Sequence, residues 1–194
     1  MARTTPEETF AEARGAMERG DWEGVFACLE SDNLMRIGQN SVAHFMNGGD
    51  RAMPTFVALC GEHGVPDDKV SALRGALERM AEWGRAVMTR ASDPAAMMQQ
   101  SLRHRDNVKA YGLALKETLK AAPNLPAFTA ALERSLGGVS VSSRLFIDEV
   151  VENVHIDGTK AWGIRRGPNG FQEDVGFVRK KGVWFIRLFG KRPK

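Results

Sequence analysis

The chain of 194 residues is 43% hydrophobic and 26% charged, with 20 Gly and 8 Pro, which places it among globular proteins and outside the disordered and fibrous classes. No window approaches the roughly 20 consecutive apolar residues of a membrane helix, and the polar start, Met1 to Phe10, lacks the profile of a signal peptide, so a soluble cytoplasmic protein without membrane association is expected. The formal charge of +3 is unevenly spread: residues 159–194 hold ten Lys or Arg against Glu173 and Asp174, a balance of +8 that leaves −5 for residues 1–158. A basic end of this kind suits either a solvated sheet face or an anionic partner such as nucleic acid, although no nucleic-acid motif accompanies it.

Thr5-Pro6-Glu7-Glu8 supplies a capping hydroxyl, a proline in the first turn and a Glu three residues after the cap, which predicts a helix from Pro6 to Arg19 stopped by Gly20. Asp21 caps a second helix holding Trp22, Val25, Phe26 and Leu29. Leu34, Ile37, Val42 and Phe45 keep helical spacing up to Asn47-Gly48-Gly49. A short helix over Arg51–Cys60 follows, then the longest helical stretch from Pro66, with Val70, Leu73, Leu77 and Met80 on one stripe. Ser92-Asp93-Pro94 interrupts it. Val108, Tyr111, Leu115 and Leu119 mark the next helix, and Asn124 before Pro126 caps the last, which ends at Gly137-Gly138.

Beyond Gly138 the period changes from helical to two. Strands are predicted over Ser142–Ile156, Thr159–Arg166, Phe171–Arg179 and Val183–Phe189, joined by Asp157-Gly158, Gly167-Pro168-Asn169-Gly170 and Lys181-Gly182. Connections this short force antiparallel neighbours. The expected fold is α+β: a helical N-terminal two-thirds packed on a C-terminal curved four-stranded antiparallel meander. Both sides of the last strand are partly apolar, so its second surface should be covered by helices or by a partner such as a second copy of the chain.

The opening Thr5-Pro6-Glu7-Glu8-Thr9-Phe10, the Arg19-Gly20-Asp21-Trp22 junction and Val25-Phe26-Ala27-Cys28-Leu29 resemble the first two helices of the NTF2-like superfamily, the cone-shaped fold of nuclear transport factor 2, SnoaL-type cyclases and ketosteroid isomerase. Asp157-Gly158-Thr159-Lys160-Ala161-Trp162 and the run Phe177 to Ile186 are similar to its closing strands, especially in uncharacterised bacterial members. The resemblance implies a single domain, 1–194, in which residues 4–30 and 142–190 form the cone and 31–138 a helical insert. It implies a pocket lidded by helices, and homodimerisation through the sheet. It carries no catalytic residue onto this chain, because no acid and base pair matches that of the isomerase branch.

The residues singled out for a ligand site are Asp148, Glu149, Tyr111, Trp162 and Arg165. Asp148 and Glu149 are adjacent on the first predicted strand, so only one of them enters a pocket, where burial would raise its pKa towards a useful base. The plainer reading pairs the carboxylate with Arg165, Arg166 or Arg179 across strands. Cys60 and His63, with Cys28 and His44, could complete a zinc set, but reduced, buried thiols are the simpler expectation. His104 reads as a surface residue at a helix junction and His155 as a strand-end residue. Phosphate loops, nucleophile elbows and metal-binding histidine pairs are absent from the sequence, and no cofactor is expected. Three functions stay open: a non-catalytic module binding an apolar small molecule or a protein, an isomerase or lyase of the ketosteroid type, and a nucleic-acid binder using the basic end.

Overall fold

The computed structural model describes residues 3–46, 52–89, 94–137 and 146–188. The chain divides into two compact units, Met1–Gly49 with Asn124–Lys194, and Asp50–Pro123. These limits fall inside the 31–138 stretch expected as an insert, because the helices at its two ends pack in the first unit.

In the first unit, helix α1 (Pro6–Glu18) begins with the capping box that its sequence predicts. Thr5 Oγ1 accepts from Glu8 N–H at 3.1 Å while the Glu8 carboxylate reaches back to Thr5 N–H at 3.2 Å. Asp21 caps α2 (Trp22–Ala27) through Gly24 N–H at 2.9 Å, and Asn124 caps α7 (Leu125–Ser135) through Ala127 N–H at 3.2 Å. Helix α3 (Ser31–Met46) lies against α7, which also packs on α2.

Strands β1 (Val150–Asp157), β2 (Lys160–Arg166), β3 (Gln172–Lys180) and β4 (Val183–Arg187) form one antiparallel sheet in the order β1-β2-β3-β4. The helical part followed by this meander makes the α+β architecture that the change of period predicts. Gly158 and Gly182, with φ of 59° and 83°, supply the left-handed positions of the two tight hairpins. Helix α1 packs against β1 and β4. Alternation sends Ala161, Val175, Phe177, Trp184 and Ile186 into a core with Phe10 and Phe26, and Phe10 meets Phe146 edge-to-face at 5.2 Å.

The first strand is shorter than the predicted Ser142–Ile156. It begins at Val150, and residues 142–145 lie outside those described. Phe146 (φ 66°) and Asp148 (φ 55°) are left-handed in a turn in which Glu149 N–H donates to Phe146 O at 3.2 Å, and left-handed backbone ends a two-residue alternation. The strand alternation by which only one of Asp148 and Glu149 enters a pocket therefore does not apply here. A bulge between Glu152 and His155 interrupts β1 again, with Asn153 at φ 53°.

The far edge of the sheet is closed by the connection between α2 and α3. Ile186 N–H donates to Cys28 O and Glu30 N–H to Ile186 O, both at 2.8 Å, forming a parallel bridge at Leu29, while Trp184 N–H donates to Arg3 O at 3.1 Å. The Glu30 side chain, 7% exposed, ion-pairs with Arg187 Nε at 2.8 Å and Lys180 Nζ at 3.1 Å.

The second unit holds α4 (Ala52–Glu62), α5 (Asp67–Thr89) and α6 (Pro94–Ala121). Phe56, Cys60, Leu73, Leu115 and Leu119 are buried there, and Thr118 Oγ1 on α6 donates to Lys69 O on α5 at 3.2 Å. His104 departs from the expected helix junction: it lies inside α6 and stacks on Trp83 of α5 at 3.7 Å.

The fold predicts that Glu30→Ala, which leaves the half-exposed Arg187 and Lys180 without their carboxylate at the joint between the α2–α3 connection and β4, costs about 1–2 kcal/mol in a denaturant unfolding measurement. A loss below about 0.5 kcal/mol would show that the joint does not depend on this carboxylate.

Candidate functional site

Five side chains were singled out by sequence, and the structure brings two of them together. Arg165 occupies the end of the β2 row whose earlier members, Ala161 and Gly163, are buried, so its guanidinium terminates an apolar strip. Its Nη1 donates to Glu149 Oε2 at 3.2 Å, and the two side chains are 12% and 10% exposed. Nε donates at 3.0 Å to Glu173 Oε2, the cross-strand neighbour on β3, which Nη2 also contacts. The guanidinium lies over the Phe171 ring, 5.0 Å from its centroid.

Backbone geometry explains why the cluster forms here. The turn at Phe146–Asp148 delivers Glu149 to the start of β1, and Arg14 Nη1 on α1 donates to Glu149 O at 3.3 Å. Gly167 leaves room for both partners: a Cβ there would stand 3.2 Å from Glu149 Cγ and 3.4 Å from Phe171 Cδ1. Asp148, its side chain turned elsewhere by the left-handed backbone, is exposed. Trp162, one residue out of phase with Ala161 and Gly163, lies on the opposite sheet face, half-buried, where His155 of β1 sits 4.6 Å from it. Tyr111 belongs to α6 in the second unit, and burial pushes its phenol up.

Chemically, the arrangement is a clamp. Burial pushes the Glu149 carboxyl up, and the adjacent Arg165 guanidinium pulls it back without cancelling the rise. The Glu149 carboxylate gives one oxygen to a guanidinium that is itself held by Glu173, which ties the residue before β1 to β2 and β3. This is the cross-strand pairing weighed from sequence, with Arg165 as the partner.

Sequence reasoning missed two further buried carboxylates. Glu30 is described above. Glu133 on α7 is fully buried, and its Oε1 accepts a hydrogen bond from Ser41 Oγ on α3 at 2.5 Å. In the sequence, Glu133 sits between Leu132 and Arg134 and reads as a wet position of α7; its neighbours at helical spacing, Thr129 and Ala130, are the small residues that admit α3 closely.

The cysteines are split between the units. Burial raises Cys28 to about 11 and Cys60 to about 12, so both are protonated thiols at neutral pH. Among the described residues, no group of three or more His, Cys, Asp or Glu is placed to hold a metal ion. No described helix is long and apolar enough to cross a membrane. No family model, curated protein or solved structure matches the chain.

Two measurements follow. Because the Glu149 pKa is raised in the folded state, the folded chain binds more protons than the unfolded one just above the usual value of 4.5, and stability drawn from this group falls as pH rises through that window. The melting temperature of the wild type should therefore decline relative to that of Glu149→Gln as pH rises from 4.5; a difference that stays flat would mean that burial does not govern this group. Iodoacetamide at neutral pH should leave both thiols unmodified in the native protein and label both once denaturant is added. Rapid native labelling at Cys28 or Cys60 would contradict their burial.

Proposed function

We propose that the protein is a non-catalytic, NTF2-like interaction module that self-associates through the outward face of its sheet. The observation that carries this reading is the division of labour between the two sheet faces. The inward face is filled by the core with α1 and α2, and the row that includes Arg165 ends in a closed ion cluster. The outward face presents Trp162, Ile164, Val178 and Phe185 half-buried, none of them part of that core, with Arg187 lying over Gly176 among them and the Arg3 guanidinium 4.9 Å from the Phe185 ring centroid.

A second copy suits this face by charge. Asp174, opposite Ile164, lies towards one end of the block, and Lys160, opposite Val178, lies at the other. A two-fold axis in the plane of the contact and perpendicular to the strands exchanges the two ends and brings each Asp174 towards the Lys160 of the other copy. The engagement of Glu149 with Arg165 argues against a free catalytic base of the ketosteroid type. The stretch of basic sheet is also partly neutralised within the chain, with Arg165 on Glu149 and Glu173, Arg166 on Glu152, and Lys180 and Arg187 on Glu30.

Light scattering on a size-exclusion column tests the proposal. The full chain should run as a dimer at about 50 µM, and Trp162→Glu or Val178→Glu should give a monomer with an unchanged far-ultraviolet spectrum. A wild type that is monomeric at this concentration, or a dimer indifferent to both substitutions, removes the reading.

A further inference from the structure

We propose that the outward face of α6, in the second unit, docks an acidic protein segment whose carboxylates alternate with apolar side chains. On this helix Met98, Leu102 and Leu113 are 70%, 47% and 63% exposed, so their apolar area faces water. At 100° per residue they share a sector of about 80° with Arg105, Lys109, Lys116 and Lys120. All four cations are exposed. The row is about 33 Å long. It lies on the side of α6 away from Leu115, Thr118 and Leu119, which face α5, so packing within the unit does not account for it.

The charges on the row are largely uncompensated. Among the described residues Arg105, Lys109 and Lys116 make no ion pair, and Lys120 alone is paired, with Glu117 at 3.2 Å. Asp106 and Glu117 flank the row on one side. Four cations on one face favour a partner that brings carboxylates, and the exposed Met98, Leu102 and Leu113 favour one that also brings apolar side chains to cover them.

The interleaving selects the class of partner. A helix that lies in a bilayer surface separates its apolar face from its cationic one, so that the first enters the hydrocarbon while the second stays among headgroups. Here Lys109 and Lys116 share the azimuth of Leu102 and Leu113, and sinking the leucines would drag the ammonium groups with them. A duplex would reward the cations and leave the three apolar side chains uncovered. An acidic amphipathic segment satisfies both sets at once.

The experiment uses the full chain and a fluorescein-labelled helical peptide of ~20 residues alternating Glu and Leu at helical spacing, beside the same peptide with Ser for Leu. Fluorescence anisotropy should show saturable binding of the Glu/Leu peptide. The affinity should fall about tenfold or more in Lys109→Glu/Lys116→Glu and severalfold in Leu102→Ser/Leu113→Ser, each with an unchanged far-ultraviolet spectrum. Equal binding of the two peptides, insensitivity to the leucine substitutions or no binding at all would overturn the proposal. So would tighter association with phosphatidylserine vesicles or with a duplex of ~20 base pairs than with the Glu/Leu peptide.

Discussion

The first unit depends on a joint between the start of the chain and its end. Four strands alone would leave β4 with a row of unpaired backbone groups, and an edge of that kind pairs with whatever strand it meets. Cys28 O and Glu30 N–H occupy that row from one element, and Arg3 O occupies it from another. Loop closure over more than 150 residues costs entropy, and two backbone hydrogen bonds do not by themselves offset it. The remainder comes from Val25, Phe26, Cys28 and Leu29, which the joint carries into the same core as Trp184 and Ile186. The Glu30 carboxylate then meets Lys180 and Arg187, ion-pairing the edge strand and its neighbour with the connection that covers them.

Among the described residues of this unit three carboxylates are buried, and each has an identified partner. Glu30 is paired with two cations, Glu149 is held by Arg165, and Glu133 accepts from Ser41. Charges inside a protein survive only when their hydrogen-bonding capacity is met, so these contacts explain why burial is tolerated. They also set what the groups can do. A general base must have a lone pair open to the proton it takes. The Glu149 carboxylate directs an oxygen to Arg165 instead, in a row whose other end is filled with aromatic and aliphatic side chains. Its raised pKa is a consequence of burial near an ion pair, and the same shift in an open pocket would have carried a different meaning.

Local chemistry was the most legible part of the sequence. Thr5 with Glu8, Asp21 and Asn124 cap the helices that their positions predict, and Gly158 and Gly182 turn the hairpins, because each of these effects acts within a few residues. Alternation identified the strands and placed Arg165 within reach of an acid. It failed at Phe146 and Asp148, where left-handed backbone at non-glycine residues leaves no mark in the pattern. His104 was misread and Glu133 passed over for a related reason. A polar residue on a helix reads as wet until another helix arrives, and Trp83 on α5 and Ser41 on α3 are 21 and 92 residues away respectively. Trp162 and Arg165 lie three residues apart on β2, so the two-residue period puts them on opposite faces, and grouping both at one ligand site ran against that period.

The edges of the sheet also bear on how copies of the chain can meet. β4 is closed by Arg3 and the Cys28–Glu30 segment. β1 carries a bulge between Glu152 and His155, with left-handed Asn153, and a bulged strand offers a poor template for an incoming one. Extension of the sheet by edge pairing is therefore disfavoured at both ends. Trp162, Ile164, Val178 and Phe185 stand on successive strands, with the Arg187 side chain over Gly176 among them, and a face-to-face contact closes on itself after two copies. The outward face mixes Trp162, Ile164, Val178 and Phe185 with Lys160, Asp174 and Arg187, and the guarding of both edges is the physical ground for placing the proposed self-association at that face.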